Sequence, residues 1–124
     1  MLPDGLPPTG DIRVPTLTLH TEADPVVLVQ NETVFAAKVA ASRAKTADLV
    51  QLYTKAPARY AKPAPYGAGH CNFTAGELAG AVTALDGWVR GGVYPTGPAV
   101  RTAFGSDPGL DLSYRPAPWP AATS

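Results

Sequence analysis

The chain has 124 residues, and ten Lys/Arg against ten Asp/Glu leave it formally neutral. That length suits one domain, and without a basic stripe or run a nucleic-acid partner has no electrostatic footing. No apolar stretch approaches the ~18 residues of a membrane span, and MLPDGLPPTGD lacks the basic region and apolar run of a secretory signal, which leaves the compartment unknown and secretion of a longer parent open.

Residues 1–11 hold three prolines and two glycines and read as an extended lead-in. Val14 to His20 (VPTLTLH) is short, β-branched and apolar, and stops at a polar cluster, which predicts a strand. Pro15 is tolerable at its start. After TEADPVVLVQ, Asn31 offers an N-cap and ETVFAAKVAASRAK is a helix-favouring run. Val34, Phe35 and Val39 are its candidates for packing on a sheet, with Lys38, Arg43 and Lys45 facing water. Leu49 to Tyr53 predicts a second strand. A loop over 55–73 carries Pro57, Pro63 and Pro65 and ends in GAGHCNF. Thr74-Ala75-Gly76-Glu77 then forms a capping box. The helix it opens carries Leu78, Ala81, Val82, Leu85, Trp88 and Val89 on one stripe, expected to face the core. Gly91-Gly92 supplies its stop. Residues 93–124 are Pro/Gly-rich with little periodicity and read as a tail that wraps a surface or is partly disordered.

The order strand, helix, strand, helix predicts an α/β fold with two parallel strands and two helices (β-α-β-α), followed by that tail. Parallel strands normally sit inside larger sheets covered on both faces. Two strands and about eighty structured residues would bury a limited share of their surface, so the segment 12–92 has the character of the end of something larger.

Ligands of parallel α/β sheets lie beyond the carboxyl ends of the strands, and both chemistry-bearing clusters fall there. The first strand runs into His20-Thr21-Glu22-Ala23-Asp24-Pro25, and the second leads to His70. One possibility is an acid–base pair, Asp24 fixing the tautomer of His70 and stabilising its protonated ring, with Gly67 and Gly69 permitting close backbone approach. The blander one is that Asp24 caps a turn and His70 is a loop residue. A metal site drawn from His20, Glu22 and Asp24 with His70 or Cys71 has suitable donors but an unrecognised spacing, and His20 is more simply a strand-end residue satisfied by backbone. Cys71 is the sole cysteine, so neither an intrachain disulfide nor a Cys-x-x-Cys zinc site exists. Beside a candidate base it invites a nucleophile role, but adjacent residues rarely face each other in the geometry required. A buried, unreactive thiol is the expectation. Tyr66, Phe73 and Trp88 are expected to pack, and Ser106 in GSDPG lacks the strand-to-helix elbow of a nucleophile.

Taken together, VPTLTLHTEADPVV, a helix, LVQLYT and GAGHCNFTAGE resemble the C-terminal part of α/β-hydrolase-fold serine hydrolases over residues 12–92. The family order of nucleophile, acid and histidine implies Asp24 as the acid and His70 as the base. It also implies a small-molecule ester or peptide as the substrate of the intact parent, with no cofactor. The His70-Cys71 pair is similar to tannase-like esterases, in which that cysteine bonds one beside the nucleophile. The departure is that no Gly-x-Ser-x-Gly elbow is present in the sequence. The resemblance therefore implies a truncated hydrolase with the acid and base of the triad and no nucleophile, not expected to form an acyl-enzyme alone. Its partner would be a missing N-terminal half or a second copy. The alternative is a non-catalytic interaction module that associates through an exposed strand edge.

Overall fold

The computed structural model describes residues 8–55 and 70–119. Strand β1, Thr16–Thr21, is followed by helix α1, Gln30–Ala41, then by a single 3₁₀ turn and strand β2, Leu49–Thr54. Helix α2 spans Ala75–Gly91 and helix α3 spans Gly97–Phe104. The two strands pair in parallel, Thr16 opposite Leu49 through Thr21 opposite Thr54. Most of the loop expected over 55–73, including its prolines, Gly67, Gly69 and Tyr66, lies outside the described residues.

Alternation along the strands divides the sheet into two unlike faces. On one, Leu17, Leu19 and Val50 join Leu52, which packs with Val100 and Phe104 of α3 and with Leu110 to form the core. The other face is polar and receives α1. There Thr18 Oγ1 donates to Glu32 Oε2 at 2.8 Å, and Gln51 Nε2 donates to the same carboxylate at 2.7 Å. Val39, fully buried, is the inward anchor of α1. The expected N-cap at Asn31 is corrected: the helix begins earlier, its N-cap is Val29 with no side-chain cap bond, and the Asn31 amide instead donates to the Leu28 carbonyl.

The capping box of α2 forms as the sequence predicts. Thr74 Oγ1 accepts from Glu77 N at 3.0 Å, and Glu77 Oε1 accepts from Thr74 N at 2.8 Å. Gly92, at φ 66°, closes the helix in the left-handed conformation. The apolar stripe of α2, however, faces the core only in part: Ala81 packs against it and Leu85 and Trp88 are half-buried. Leu78, Val82 and Val89 are 51%, 68% and 60% exposed, and the buried positions of the helix are Glu77, Gly80 and Ala84. The contact is made by small residues because α3 packs closely across them. Gly80 lies directly against the Phe104 ring.

The third helix is a departure from the two-helix expectation and lies in the segment read as a tail. Thr96 precedes it, Pro98 occupies its first turn, where no N–H is needed, and Val100 and Phe104 give it one buried face. After α3 the chain returns along the outer edge of β2. Lys55 N donates to Gly109 O at 2.7 Å and Asp111 N to Tyr53 O at 2.9 Å, with Leu110 in an antiparallel bridge to Thr54. It then crosses α1, where Thr33 Oγ1 donates to Ala117 O at 2.9 Å. The tail therefore wraps the body. It covers the Tyr53–Lys55 end of the β2 edge, while β1 has no partner strand on its outer side among the described residues. No helix of the described residues is long and apolar enough to cross a membrane.

Candidate functional site

Past the end of β1 the chain turns sharply at Asp24-Pro25. Asp24 organises this turn with its own carboxylate, Oδ1 accepting from Val26 N at 2.8 Å and from Val27 N at 3.0 Å. The second oxygen reaches across to the segment ahead of α2. Oδ2 lies 2.8 Å from His70 Nδ1 and accepts from Cys71 N at 3.1 Å. Asp24 is 5% exposed, so all four donors act on a carboxylate withdrawn from water. Burial alone pushes its pKa up. The bonds from Val27, Val26 and Cys71, with that from His70, outweigh burial and hold it at about 2.

An ionised carboxylate only accepts, so the ring nitrogen facing it carries the hydrogen. His70 is thereby fixed as the Nδ1–H tautomer with Nε2 bare. Its side chain is 46% exposed. A buried anion behind a half-exposed imidazole is the arrangement that lets the outer nitrogen take and return a proton. Sequence reasoning brought Asp24 and His70 together, and the structure places both beyond the carboxyl ends of the parallel strands.

Cys71 departs from expectation. It is exposed rather than buried, and its Sγ lies 3.4 Å from His70 Nε2. Its backbone has φ 46°, a left-handed conformation that costs a non-glycine residue about 1–2 kcal/mol. In this conformation one residue offers its N–H to Asp24 and its sulfur to the neighbouring ring. The helical and strand periodicities that serve sequence reading carry no signal for it.

The cleft beside these groups, about 130 Å³, is lined by Leu19, His20, Thr21, Val27 and Phe73 together with Asp24, His70 and Cys71. Larger clefts lie elsewhere among the described residues, one of about 380 Å³ along β2 and Asp111 and one of about 250 Å³ between α2 and α3. Neither holds a histidine or a thiol, so chemistry rather than size locates the site.

The remaining candidates do not join it as ligands. His20 Nδ1 is 2.9 Å from the Thr21 carbonyl, a backbone-satisfied strand-end histidine. Glu22 turns toward Asp111 and Lys55. Ser106 sits in the turn after α3, with no helix following it among the described residues. Donor atoms of Asp24, His70 and Cys71 do lie within 4.8 Å of one another. Both Asp24 oxygens and His70 Nδ1 are already committed to each other and to backbone, however. Only Nε2 and Sγ remain for a cation, fewer than the three or four protein ligands of a zinc centre.

No family model matches the chain, and no characterised protein or solved structure matches it either.

Proposed function

We propose that this chain supplies the acid and base of a serine-hydrolase triad acting on ester or amide bonds, Asp24 as acid and His70 as base, for a serine carried by another polypeptide segment. The observation that supports it is the 2.8 Å approach of a buried carboxylate to Nδ1 of a histidine whose Nε2 is free of the carboxylate. In that role Nε2 takes the proton of the attacking hydroxyl and passes it to the leaving alcohol or amine, while Asp24 stabilises the charged ring. The test is to express the chain together with the coding sequence preceding it in frame and to treat the product with a fluorophosphonate. Labelling of a serine within Gly-x-Ser-x-Gly is expected, slowed about 100-fold or more by His70→Ala. The chain alone should turn over an aryl ester poorly. Robust turnover that survives His70→Ala contradicts the assignment.

A second function is favoured by the outward apolar residues of α2, Leu78, Val82 and Val89, combined with the edge of β1, which has no partner strand among the described residues. Such surfaces seek partners, and the chain would then act as an association module. A monodisperse monomer in sedimentation velocity across a wide concentration range argues against it.

A further inference from the structure

The Asp24–His70 pair has a nucleophile within reach in its own chain. His70 Nε2, the nitrogen turned away from Asp24, is 3.4 Å from Cys71 Sγ, and the sulfur is exposed. Carboxylate, imidazole and thiol thus stand in the order that activates a cysteine. The sulfur also borders the 130 Å³ cleft whose apolar walls are Leu19, Val27 and Phe73. An apolar cavity of ~150 Å³ takes a benzene-sized guest, so this cleft has room for an acyl group of about two to four carbons against its walls, and a long chain would extend out of it into water.

We propose that Cys71 is itself a nucleophile, served by His70 and Asp24, that accepts a short acyl group from an activated ester or thioester onto its sulfur. It rests on the base assigned to His70 above but needs no external serine. In the step, His70 Nε2 takes the thiol proton while the sulfur forms a bond to the carbonyl carbon. The carbon–oxygen or carbon–sulfur bond of the donor then breaks, and the leaving group receives the proton from Nε2. The products are S-acyl Cys71 and a free alcohol or thiol. Water attacking the same carbonyl would return the thiol and release the acid.

The geometry also says which half of this sequence is fast. The Cys71 N–H is spent on Asp24 Oδ2, so it cannot stabilise an oxyanion on the acyl carbon. An activated donor reacts without that help, whereas hydrolysis of the alkyl thioester by water does not. The expected product is therefore a stoichiometric S-acyl protein and not sustained turnover.

The experiment is to incubate the full chain at neutral pH with 4-nitrophenyl acetate or 4-nitrophenyl decanoate and to follow intact mass and the modified peptide. One acetyl group on Cys71 is expected, with the decanoyl ester reacting more slowly and Cys71→Ser abolishing the adduct. His70→Ala and His70→Gln, both at a half-exposed position, are expected to slow acetylation about 100-fold or more. Acetylation at the wild-type rate in both His70 variants, or modification only of lysines, overturns the proposal. The ring tautomer, read by ¹⁵N NMR, separates the two levels. An Nδ1–H ring without His70-dependent acetylation leaves the base standing and removes Cys71 as its nucleophile. A ring of the other tautomer removes both.

Discussion

Gly80 of α2 lies so close to Phe104 of α3 that a Cβ on it would stand 2.7 Å from the ring's Cγ and 3.0 Å from the Phe104 Cα. The second distance matters more, because a backbone atom cannot rotate away. Gly80→Ala gains up to ~1 kcal/mol of helix propensity but forces the two helices apart, at a cost of about 1–3 kcal/mol. A net loss of stability is expected. Gly87, on the same helix, has nothing within 4 Å of its Cβ position, so Gly87→Ala should stabilise by up to ~1 kcal/mol. Chemical denaturation of both variants checks the pair. A stabilised Gly80→Ala would mean that the contact between α2 and α3 is looser than described.

Asp24 ties the end of β1 to the segment carrying His70. Its carboxyl is held at about 2, below its ordinary 3.8. A depressed acid contributes stability that is fully present above the ordinary value and lost as pH falls through the lowered one. The shift corresponds to something on the order of 2 kcal/mol. Asp24→Asn should remove that acid dependence and, by presenting an NH₂ group to donors, cost about 1–3 kcal/mol at neutral pH. Urea titrations between pH 2 and pH 7 would show both effects. An unchanged acid slope in the variant would mean that these bonds do not hold the carboxylate.

Glu22 behaves in the opposite sense. Burial first, and then the hydrogen bond and charge of the adjacent Asp111, push it from 4.5 up to about 7, with Lys55 opposing. Asp111 is held at about 2, chiefly by its bond to Glu22. Of the two neighbouring carboxyls, Glu22 is therefore the one that keeps its proton as pH rises from the acid side. A raised acid contributes stability that is complete below its unfolded value and lost as pH rises through the folded one. The thermal midpoint should therefore carry a component that falls between about pH 4.5 and pH 7. Glu22→Gln keeps a donor toward Asp111 at every pH and should flatten that component. An equal slope in the variant would assign the titration to another group.

The exposed stripe on α2 separates folding from association. Val82 and Val89 are already in water, so replacing both with lysine should change the stability of the monomer by no more than about 0.5 kcal/mol per site. If the stripe is a contact between copies, the double variant should sediment as monomer where the parent associates. Retained association would move the interface to the β1 edge.

Much of the fold was legible where the local signal and the tertiary outcome coincide. The apolar alternation at Leu17 and Leu19 and at Val50 and Leu52 marks strands with one core face. The Thr74–Glu77 box fixes the start of α2 by bonds among four consecutive residues. What was not legible depended on distant partners. The α2 stripe is apolar, but the fold buries Gly80 and Ala84 because the neighbouring helix brings Phe104, and no local pattern announces that choice. Helix α3 is only two turns long, with Val100 and Phe104 as its sole buried residues, too few to stand out among prolines and glycines. Asp24 and His70 could be paired from their positions after successive parallel strands. The orientation of Cys71 could not, because it follows from a single left-handed backbone angle.

The cover that Gly109 to Asp111 lays over the Tyr53–Lys55 end of β2 makes the two edges of the sheet unlike. β1 has no such cover among the described residues, so a further strand would meet a full edge there. Two copies that met β1 to β1 would be related by a two-fold axis. Such a pairing would use the uncovered edge of both copies at once.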